Sequence, residues 1–217
     1  MQEVPLFPLQ TVLFPGAPLH LHIFEERYKK MINLCIEREQ PFGVVLIRHG
    51  MEALGPLAEP YLVGTLAKII QVQQLPGERM NITTIGQDRF QILSLKPDPE
   101  SYLIGYVKPL PLLEHDRAYV NHKLLRLRSQ VERYIQALSE AGMAQFDLAQ
   151  FPSDPAGFAF LSASLLQIAN EQKQMILAAE RVETLLAEVT NAYSRENALL
   201  KSFIAQDVED HDKFSWN

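Results

Sequence analysis

The chain has 217 residues, a formal net charge of −6 at pH 7 and a hydrophobic fraction of 47%. This length suits one large domain or two small ones, and the hydrophobic fraction is high enough to bury a core. A protein that binds duplex nucleic acid needs a positive surface, which the acidic balance disfavours. The one cysteine, Cys35, excludes an internal disulfide and is consistent with a reducing compartment.

The N-terminus and the hydropathy pattern argue against secretion and against membrane insertion. The opening MQEVPLFPLQTVLFPG lacks a positively charged segment, and Pro5, Pro8 and Pro15 interrupt its apolar residues. It therefore does not have the pattern of a signal peptide. No run of about 18 apolar residues occurs, so no membrane-spanning helix is predicted. We expect a cytoplasmic protein with no membrane partner.

The first half of the chain shows short β-like segments separated by glycine and proline. Strands are predicted at 2–6 and 19–24, the second because Leu19 to Ile23 alternates apolar and polar residues. Between them, Pro15-Gly16 predicts a type II turn, since glycine tolerates the positive φ that this turn requires. A helix is predicted at 25–39. Further strands are predicted at 42–47, 61–75, 80–85, 88–96 and 101–110, with a hairpin turn at Pro76-Gly77, which makes six or seven strands in a barrel or sandwich.

From residue 115 onwards, proline becomes scarce and apolar residues recur every three to four positions, which predicts helices. The first helix carries its apolar residues from Val120 to Leu138, and Gly142 is its expected end. Asp154-Pro155 predicts the start of the next helix, because aspartate caps a helix and proline suits the first helical position.

Two more helices are predicted towards the C-terminus. Asn170 is expected to cap a short helix whose inner side carries Met175 and Ile176. A long last helix carries apolar residues on one face from Val182 to Phe203. The final segment, 205–217, is acidic and has no hydrophobic period, so we expect a mobile tail.

Five segments of the first half resemble the N-terminal substrate-binding domain of Lon proteases, including its small stand-alone bacterial members. Their order and spacing make the resemblance specific, although each segment alone would be a weak match. The helical half matches more loosely, through DPAGFAFLSASLLQIANEQKQMIL at 154–177. The five segments are PLFPLQTVLFPG at 5–16, PLHLHIFEERY at 18–28, PFGVVLI at 41–47, VGTLAKI at 63–69 and GQDRF at 86–90.

The resemblance implies an α+β fold, which agrees with the order of predicted elements. An N-terminal PUA-like β pseudo-barrel with one helix is expected over residues 1–114, followed by a C-terminal α-helical bundle over 115–204 and the tail at 205–217. In Lon this domain helps to recognise and hold protein substrates, and the same module recurs in cereblon-like receptors. We therefore expect a binding protein whose partners are unfolded or exposed peptide segments of other proteins. The oligomeric state is left open.

No catalytic machinery is expected. In Lon, the ATPase and Ser–Lys peptidase domains lie C-terminal to this module, and this chain ends where they would begin. A P-loop needs G-x-x-x-x-G-K-[ST], whereas the nearest string, Gly50 to Gly55, is followed by Pro56-Leu57. We expect no enzymatic activity and no cofactor. Two alternatives stay open: a structural or regulatory subunit that pairs through the last helix, and an enzyme with an unrecognised small-molecule site.

The candidate binding residues are Phe14, His20, His22 and Tyr61. Two routes to peptide binding are expected: an open strand edge that a peptide joins by backbone hydrogen bonds, or a groove between barrel and bundle. His20 and His22 share one face of their strand, an arrangement that also suits zinc or copper. Because no third ligand can be placed, surface or groove positions are favoured over a metal site.

Glu25, Arg27 and Arg89 lie within the matched segments and are predicted to be structural. We expect a carboxylate that caps the first helical turn and arginines that fix the helix to the barrel through ion pairs. The alternative is an arginine that holds a peptide carboxylate. Cys35 lies on the apolar face of its helix and is predicted to be a buried, inert thiol.

A basic patch on the first helix of the second half is predicted to be a solvated helix face. Since PUA folds elsewhere bind RNA, a nucleic-acid partner is the alternative for this patch. The basic residues interleave with the leucine face, and Glu132 dilutes their charge, so no nucleic-acid partner is expected. The patch consists of Lys123, Arg126, Arg128 and Arg133.

Overall fold

A computed structural model of the chain describes residues 2–50, 59–97, 102–113, 116–140, 142 and 147–214. Within these residues the fold is α+β, with a mixed six-stranded sheet and five α-helices. In chain order the elements are β1 (Gln2–Leu9), β2 (Pro18–Ile23), α1 (Glu26–Glu37), β3 (Phe42–His49), β4 (Glu59–Leu75), β5 (Arg79–Pro97), β6 (Leu103–Pro109), α2 (Arg117–Glu140), α3 (Pro155–Leu165), α4 (Asn170–Leu177) and α5 (Val182–Phe214), with a short 3-10 helix at Leu148–Gln150.

The chain divides into two compact units. The first comprises Met1–Leu113 and Gln167–Glu180, and it contains all six strands together with α1 and α4. The second comprises Glu114–Leu166 and Arg181–Asn217, and it contains α2, α3 and α5. The chain passes from the first unit to the second after Leu113, and α4 is grouped with the strands. The division into domains at 1–114 and 115–204 stays a prediction.

Five of the strands form a closed ring of pairings. β3 pairs with β1 in parallel and with β4 in antiparallel orientation. β5 pairs with β4 and with β6, and β6 pairs with β1, so the ring returns to its start. β2 lies outside this ring and pairs with the first part of β5, from Ile23 opposite Met80 to Pro18 opposite Ile85. Ring closure removes most of the strand edges that an open sheet would expose.

The structure joins two strands that the sequence pattern predicts separately. β5 is one continuous strand, so the prediction of a break between 80–85 and 88–96 is wrong. The polar segment at 86–88 interrupts the alternation, but the ladder with β4 continues across it with a shift in register between Thr65 and Ala67. A β-bulge of this kind absorbs extra residues without ending the pairing.

The side chain of Phe90 fills the interior of the closed ring of five strands, in space that two glycines leave open. A Cβ added at Gly43 would lie 2.7 Å from Cζ of the Phe90 ring, and one added at Gly64 would lie 2.7 Å from the same atom. Both distances are far below van der Waals contact, so neither position accommodates a side chain beside this ring. The buried residues that cluster with Phe90 are Val4, Leu6, Val45, Ile92, Leu103 and Val107.

The connection between β1 and β2 folds back onto the strands. The amide of Ala17 donates to the carbonyl of Phe14 at 3.1 Å, and Gly16 has a φ of 79°, as the Pro-Gly pattern predicts. The hydroxyl of Thr65, on β4, donates to the carbonyl of Leu13 at 2.6 Å. These contacts hold the connection against the sheet and leave Phe14 fully buried.

The short helix α4 is attached to the strand unit by its own side chains. The amide Nε2 of Gln174 donates to the carbonyl of Val63, on β4, at 2.9 Å. Asn170 Nδ2 donates to the carbonyl of Gln10 at 2.6 Å, a partner 160 residues earlier in the chain. Asn170 therefore does not cap α4 as predicted, because Ala169 occupies the N-cap position.

The inner side of α4 differs from the prediction at one residue. Ile176 is buried, as expected, but Met175 is 66% exposed. α4 has only eight residues, so its buried face is narrow, and Gln174 is buried on that face instead of Met175.

In the second unit, α3 starts where the Asp-Pro pattern predicts. Pro155 is the first residue of α3, and the carboxylate of Asp154 accepts a hydrogen bond from the amide of Gly157 at 2.7 Å. The hydroxyl of Tyr193, on α5, donates to the carbonyl of Ser162, on α3, at 2.8 Å. α2 and α5 bury long apolar faces, so packing and a few buried hydrogen bonds together join the three helices.

Helix α5 continues further than the hydrophobic period indicates. It extends to Phe214, into the segment 205–217 that was expected to be a mobile tail. Mobility of this segment stays a prediction, and residues 215–217 lie outside the described part of the chain. Of the helices in the described residues, none combines the length and hydrophobicity needed to cross a membrane.

Candidate functional site

The second half of β4 is an open strand edge. β3 pairs with β4 only from Glu59 to Ala67, whereas the pairing of β4 with β5 continues to Leu75. Among the described residues, Lys68–Leu75 therefore has a strand neighbour on one side alone. We call this segment the open edge. In a strand with one neighbour, every second residue points its backbone N–H and C=O away from the ladder, where they can pair with another chain.

The open edge belongs to a ribbon of three strands, β2, β5 and β4, that has two different faces. Residues paired across an antiparallel ladder lie on the same face. Leu21 is paired with Ile82, and Ile82 with Val72, so these three side chains share an apolar face. Ile82 is buried, but Val72, at the open edge, is 37% exposed. The apolar face is thus covered at its centre and uncovered where β4 ends the sheet.

The other face of the ribbon is polar and exposed. His22 is paired with Asn81, and their side chains lie 2.8 Å apart from Nδ1 to Oδ1. Asn81 in turn donates to Oε1 of Gln73 at 3.4 Å. His20 Nδ1 lies 3.1 Å from the hydroxyl of Thr83. His20 and His22, two of the predicted binding residues, therefore each form a cross-strand hydrogen bond through Nδ1.

A cleft of about 580 Å³ lies beside the open edge. We call it the edge cleft. Its apolar side chains include Ile36, at the end of α1, which is 37% exposed, and Ile70, which is 55% exposed. Exposed apolar groups here stand next to unpaired backbone groups, a combination that suits an extended polypeptide. The lining residues are Cys35, Ile36, Glu39, Gln40, Pro41, Lys68, Ile69, Ile70, Gln71, Val72 and Gln87.

The cysteine at the edge cleft is a buried, free thiol. Cys35 is buried, and its burial raises the pKa of the thiol to about 11, against a smaller opposing effect of a hydrogen bond with Gln40. Because the thiolate is the reactive form, the thiol is unreactive at neutral pH. This geometry agrees with the buried, inert cysteine predicted from the helical pattern.

A second, smaller cleft of about 300 Å³ contains two of the four predicted binding residues. His20 and His22 line it together with Phe24, whose exposed ring stacks on His22 at 5.9 Å between centroids. Phe7 and Tyr28 supply further aromatic surface. This cleft is the place where the structure brings predicted binding residues together.

The other two predicted binding residues lie elsewhere. Phe14 has no exposed surface, so its ring belongs to the core of the first unit and cannot contact a ligand there. Tyr61 is half-buried on β4 and lines neither of the two clefts described above. The side chains that line the edge cleft, Ile36, Ile70 and Val72, were not selected from the sequence.

Glu25 and Arg27 form a local ion pair. Glu25 is the N-cap residue of α1, but its carboxylate makes no capping hydrogen bond, in contrast to the prediction. It accepts instead from Arg27 at 2.9 Å. The guanidinium of Arg27 also lies over the ring of Tyr28, 4.7 Å from its centroid. These contacts join neighbouring residues at the start of α1 and do not link the helix to the strands, in contrast to the predicted ion pairs between helix and barrel. The structural role of Glu25 and Arg27 stays a prediction.

Arg89 connects three separate segments of the first unit through main-chain carbonyls. Its guanidinium donates to the carbonyls of Leu177 and Ala179, the latter at 2.7 Å, and to that of Leu110 at 3.0 Å. Burial lowers the pKa of Arg89 to about 10, so the group stays charged at neutral pH. Arg89 is buried, and these main-chain carbonyls are among its partners.

In the part of the chain that the structure describes, no group of three or more His, Cys, Asp or Glu side chains is arranged to bind a metal ion.

The basic patch of the second unit has partners within its own helices. Lys123 lies over the ring of Tyr119 at 5.1 Å, and Arg128 lies over the ring of Phe158 at 4.3 Å.

Comparison with known families decides what this architecture belongs to. The family model described as the ATP-dependent protease La (LON) substrate-binding domain matches residues 3–194, which covers most of both units. The chain belongs to the LON substrate-binding domain family. The open edge and the edge cleft therefore lie within a LON substrate-binding domain.

Similar proteins extend this assignment. The chain is 24% identical to a Lon protease of Anaeromyxobacter dehalogenans over 204 residues, which is 91% of this chain and 24% of that protein. The chain thus spans about a quarter of the length of the curated Lon proteases it matches.

Two solved structures share the fold of this LON domain. The N-terminal domain of a Mycobacterium avium complex Lon protease has a TM-score of 0.65 and 19% identity, covering 89% of this chain and 98% of that one. A Lon N-terminal domain protein from Xanthomonas campestris has a TM-score of 0.62 and 22% identity, covering 87% and 97%. At these identities the likeness establishes the fold alone.

Proposed function

We propose that this chain is a recognition module that holds exposed, extended segments of other proteins in the edge cleft and has no catalytic role of its own. The observation that carries the proposal is the open edge of β4, which stands beside exposed apolar side chains. Membership of a family described as substrate-binding supports the same function. The ring of strands with β2 outside it supports the PUA-like barrel that the resemblance implies.

The chemistry of the edge cleft favours binding over catalysis. Its ionisable side chains are Cys35, Glu39 and Lys68. A hydrolytic site needs an activated nucleophile next to a base. The pKa of Cys35 is raised to about 11, which is the opposite of activation. The apolar side chains and the unpaired backbone of β4 are, in contrast, suited to a polypeptide that has lost its own structure.

The proposal is tested by measuring the binding of a permanently unfolded, carboxymethylated protein by fluorescence anisotropy. Val72→Lys and Ile36→Lys each place a charge in the cleft at a half-exposed position and should weaken binding roughly tenfold, the loss expected when one apolar side chain can no longer be buried. Leu125→Lys is the matched control, because Leu125 is an exposed leucine on α2 in the other unit. It should bind like the wild type.

The variants must stay folded, and two outcomes of the binding experiment would contradict the proposal. All three variants should keep the wild-type circular dichroism spectrum, since none of the replaced side chains is buried. If the wild type does not bind the unfolded protein, the proposed function is refuted. If Leu125→Lys weakens binding as much as Val72→Lys, the binding surface is not the edge cleft.

A further inference from the structure

We propose that the edge cleft selects segments in which every second side chain is apolar, because the segment joins β4 as an additional strand. This inference rests on the proposed function and specifies what the site recognises. It follows from the two faces of the ribbon and from the position of α1 beside its last strand.

A strand added to the open edge continues both faces of the ribbon. On one face its side chains would follow the row that contains Ile82 and Val72, which is apolar. On the other face they would follow the row that contains Asn81 and Gln73, which is polar and exposed. The register of β4 with β5 shifts between Ile69 and Gln71, so the side chains of β4 alternate regularly between the two faces from Gln71 to Leu75. Since neighbouring side chains of a strand point to opposite faces, a segment paired with this stretch meets the apolar face around Val72 and the polar face around Gln73 in alternation.

The end of α1 makes the apolar side of this new strand a buried one. Ile36 and Val72 line the same cleft, and each is 37% exposed. Both are uncovered because the sheet stops at β4 instead of extending further over the helix. Side chains of the added strand that follow Val72 would enter the cleft and cover both residues. Apolar side chains gain most from this burial, and polar ones would lose their hydration there.

The length and charge of the site define the ligand further. The open edge, Lys68–Leu75, spans about 26 Å at roughly 3.3 Å per residue, so it pairs with a segment of about five to eight residues. Glu39 and Lys68 bring opposite charges to the cleft, so no net charge is required of the ligand. The occupant we assign is thus an extended protein segment with a two-residue apolar period.

Two peptides of about nine residues and identical composition test the inference, both with solubilising lysines at their ends. In the first, apolar and polar residues alternate; in the second, the apolar residues stand together in one block. We expect the alternating peptide to bind the full chain about tenfold more tightly by anisotropy, equivalent to burying about one further apolar side chain. Val72→Lys should remove this preference and Leu125→Lys should keep it.

N-methylation of the alternating peptide tests the added strand directly. Methyl groups on the amides of one set of alternate residues should abolish binding, and methyl groups on the other set should be tolerated, because only one edge of the peptide faces β4. Equal sensitivity of both sets, or equal affinity of the two peptides, would refute strand addition while leaving the proposed function intact. Failure of both peptides and of the unfolded protein would refute the proposed function itself.

A second copy of this chain is the competing occupant, because two open edges could pair with each other. Light scattering would then show a dimer that Val72→Lys dissociates, and the wild-type dimer would not bind the alternating peptide. That result would overturn the inference. A monomer, or a dimer unaffected by Val72→Lys that still binds the alternating peptide, supports it.

Discussion

Replacing Arg89 by methionine removes the donor of three hydrogen bonds, two buried and one partly buried, while keeping a side chain of similar length. The three acceptors are the carbonyls of Leu110, Leu177 and Ala179, which belong to the segment after β6 and to the end of α4. Hydrogen bonds to a charged group contribute about 1.5–3 kcal/mol each, and a buried acceptor left without a donor costs about 1–3 kcal/mol. Loss of the buried charge offsets part of this, so we expect Arg89→Met to lower the free energy of unfolding by about 3 kcal/mol.

Urea denaturation followed by circular dichroism measures this change. Arg79→Met is the matched control, because Arg79 lies on the same strand, is exposed and donates to one carbonyl, that of Pro76, at 3.0 Å. It should change stability by less than about 0.5 kcal/mol. Hydrogen exchange should show that Arg89→Met weakens protection in α4 more than in β3. A loss below about 1 kcal/mol, with α4 protection unchanged, would refute the assigned role of Arg89.

Three further predictions concern two single hydrogen bonds and the reactivity of one thiol. Thr65→Val should lower the free energy of unfolding by about 1–2 kcal/mol, because the buried carbonyl of Leu13 loses its donor. Thr190→Val removes a hydrogen bond within one helix turn and should lower the free energy of unfolding by less. Equal losses in urea titrations would contradict this ranking. Asp154→Ala should cost about 1 kcal/mol through loss of the N-cap of α3, and no shift in the unfolding midpoint would contradict the capping role. Cys35 should react with a thiol reagent at about pH 8 at least a hundredfold more slowly than free cysteine, since its pKa is raised to about 11. The reaction rate should rise as the pH approaches this pKa. A rate like that of free cysteine would show that the thiol is not buried.

Features that depend on neighbouring residues were predictable from the sequence. The Pro-Gly turn before β2 and the Asp-Pro start of α3 are both set by local backbone preferences, and both occur in the structure. The break predicted within β5 illustrates the limit of this reasoning. Alternation of side chains disappears at 86–88, yet pairing with β4 continues there because a bulge shifts the register. Tertiary pairing overrides the local pattern.

Contacts between distant segments were not predictable. Arg89 was expected to be structural, but its acceptors lie 88 and 90 residues further along the chain, and no sequence pattern identifies a carbonyl as a partner. Asn170 has the residue type of a helix cap and instead binds the carbonyl of Gln10. In both cases a residue type indicates the capacity to donate, and the fold decides which acceptor is near.

An open strand edge is one of the two predicted routes to peptide binding, but the predicted residues do not include those that line the edge cleft. β4 has 17 residues and β3 has eight, so β3 cannot cover the whole of β4. Alternation around Val72 predicts a strand, but it does not show where the neighbouring strand ends. His20 and His22 were selected for their residue type, and the structure places them in a polar row of the ribbon that is bonded to Thr83 and Asn81.

The packing of Phe90 between two glycines constrains how this family can vary. A methyl group at Gly43 would overlap the side chains of Leu6 and Phe90, so a larger residue there requires smaller ones at positions 6 and 90. A methyl group at Gly64 would also lie 2.6 Å from the backbone oxygen of Val44, which a smaller side chain at position 90 does not relieve. Relatives should therefore keep glycine at position 64 whatever stands at 90, whereas position 43 should vary together with positions 6 and 90.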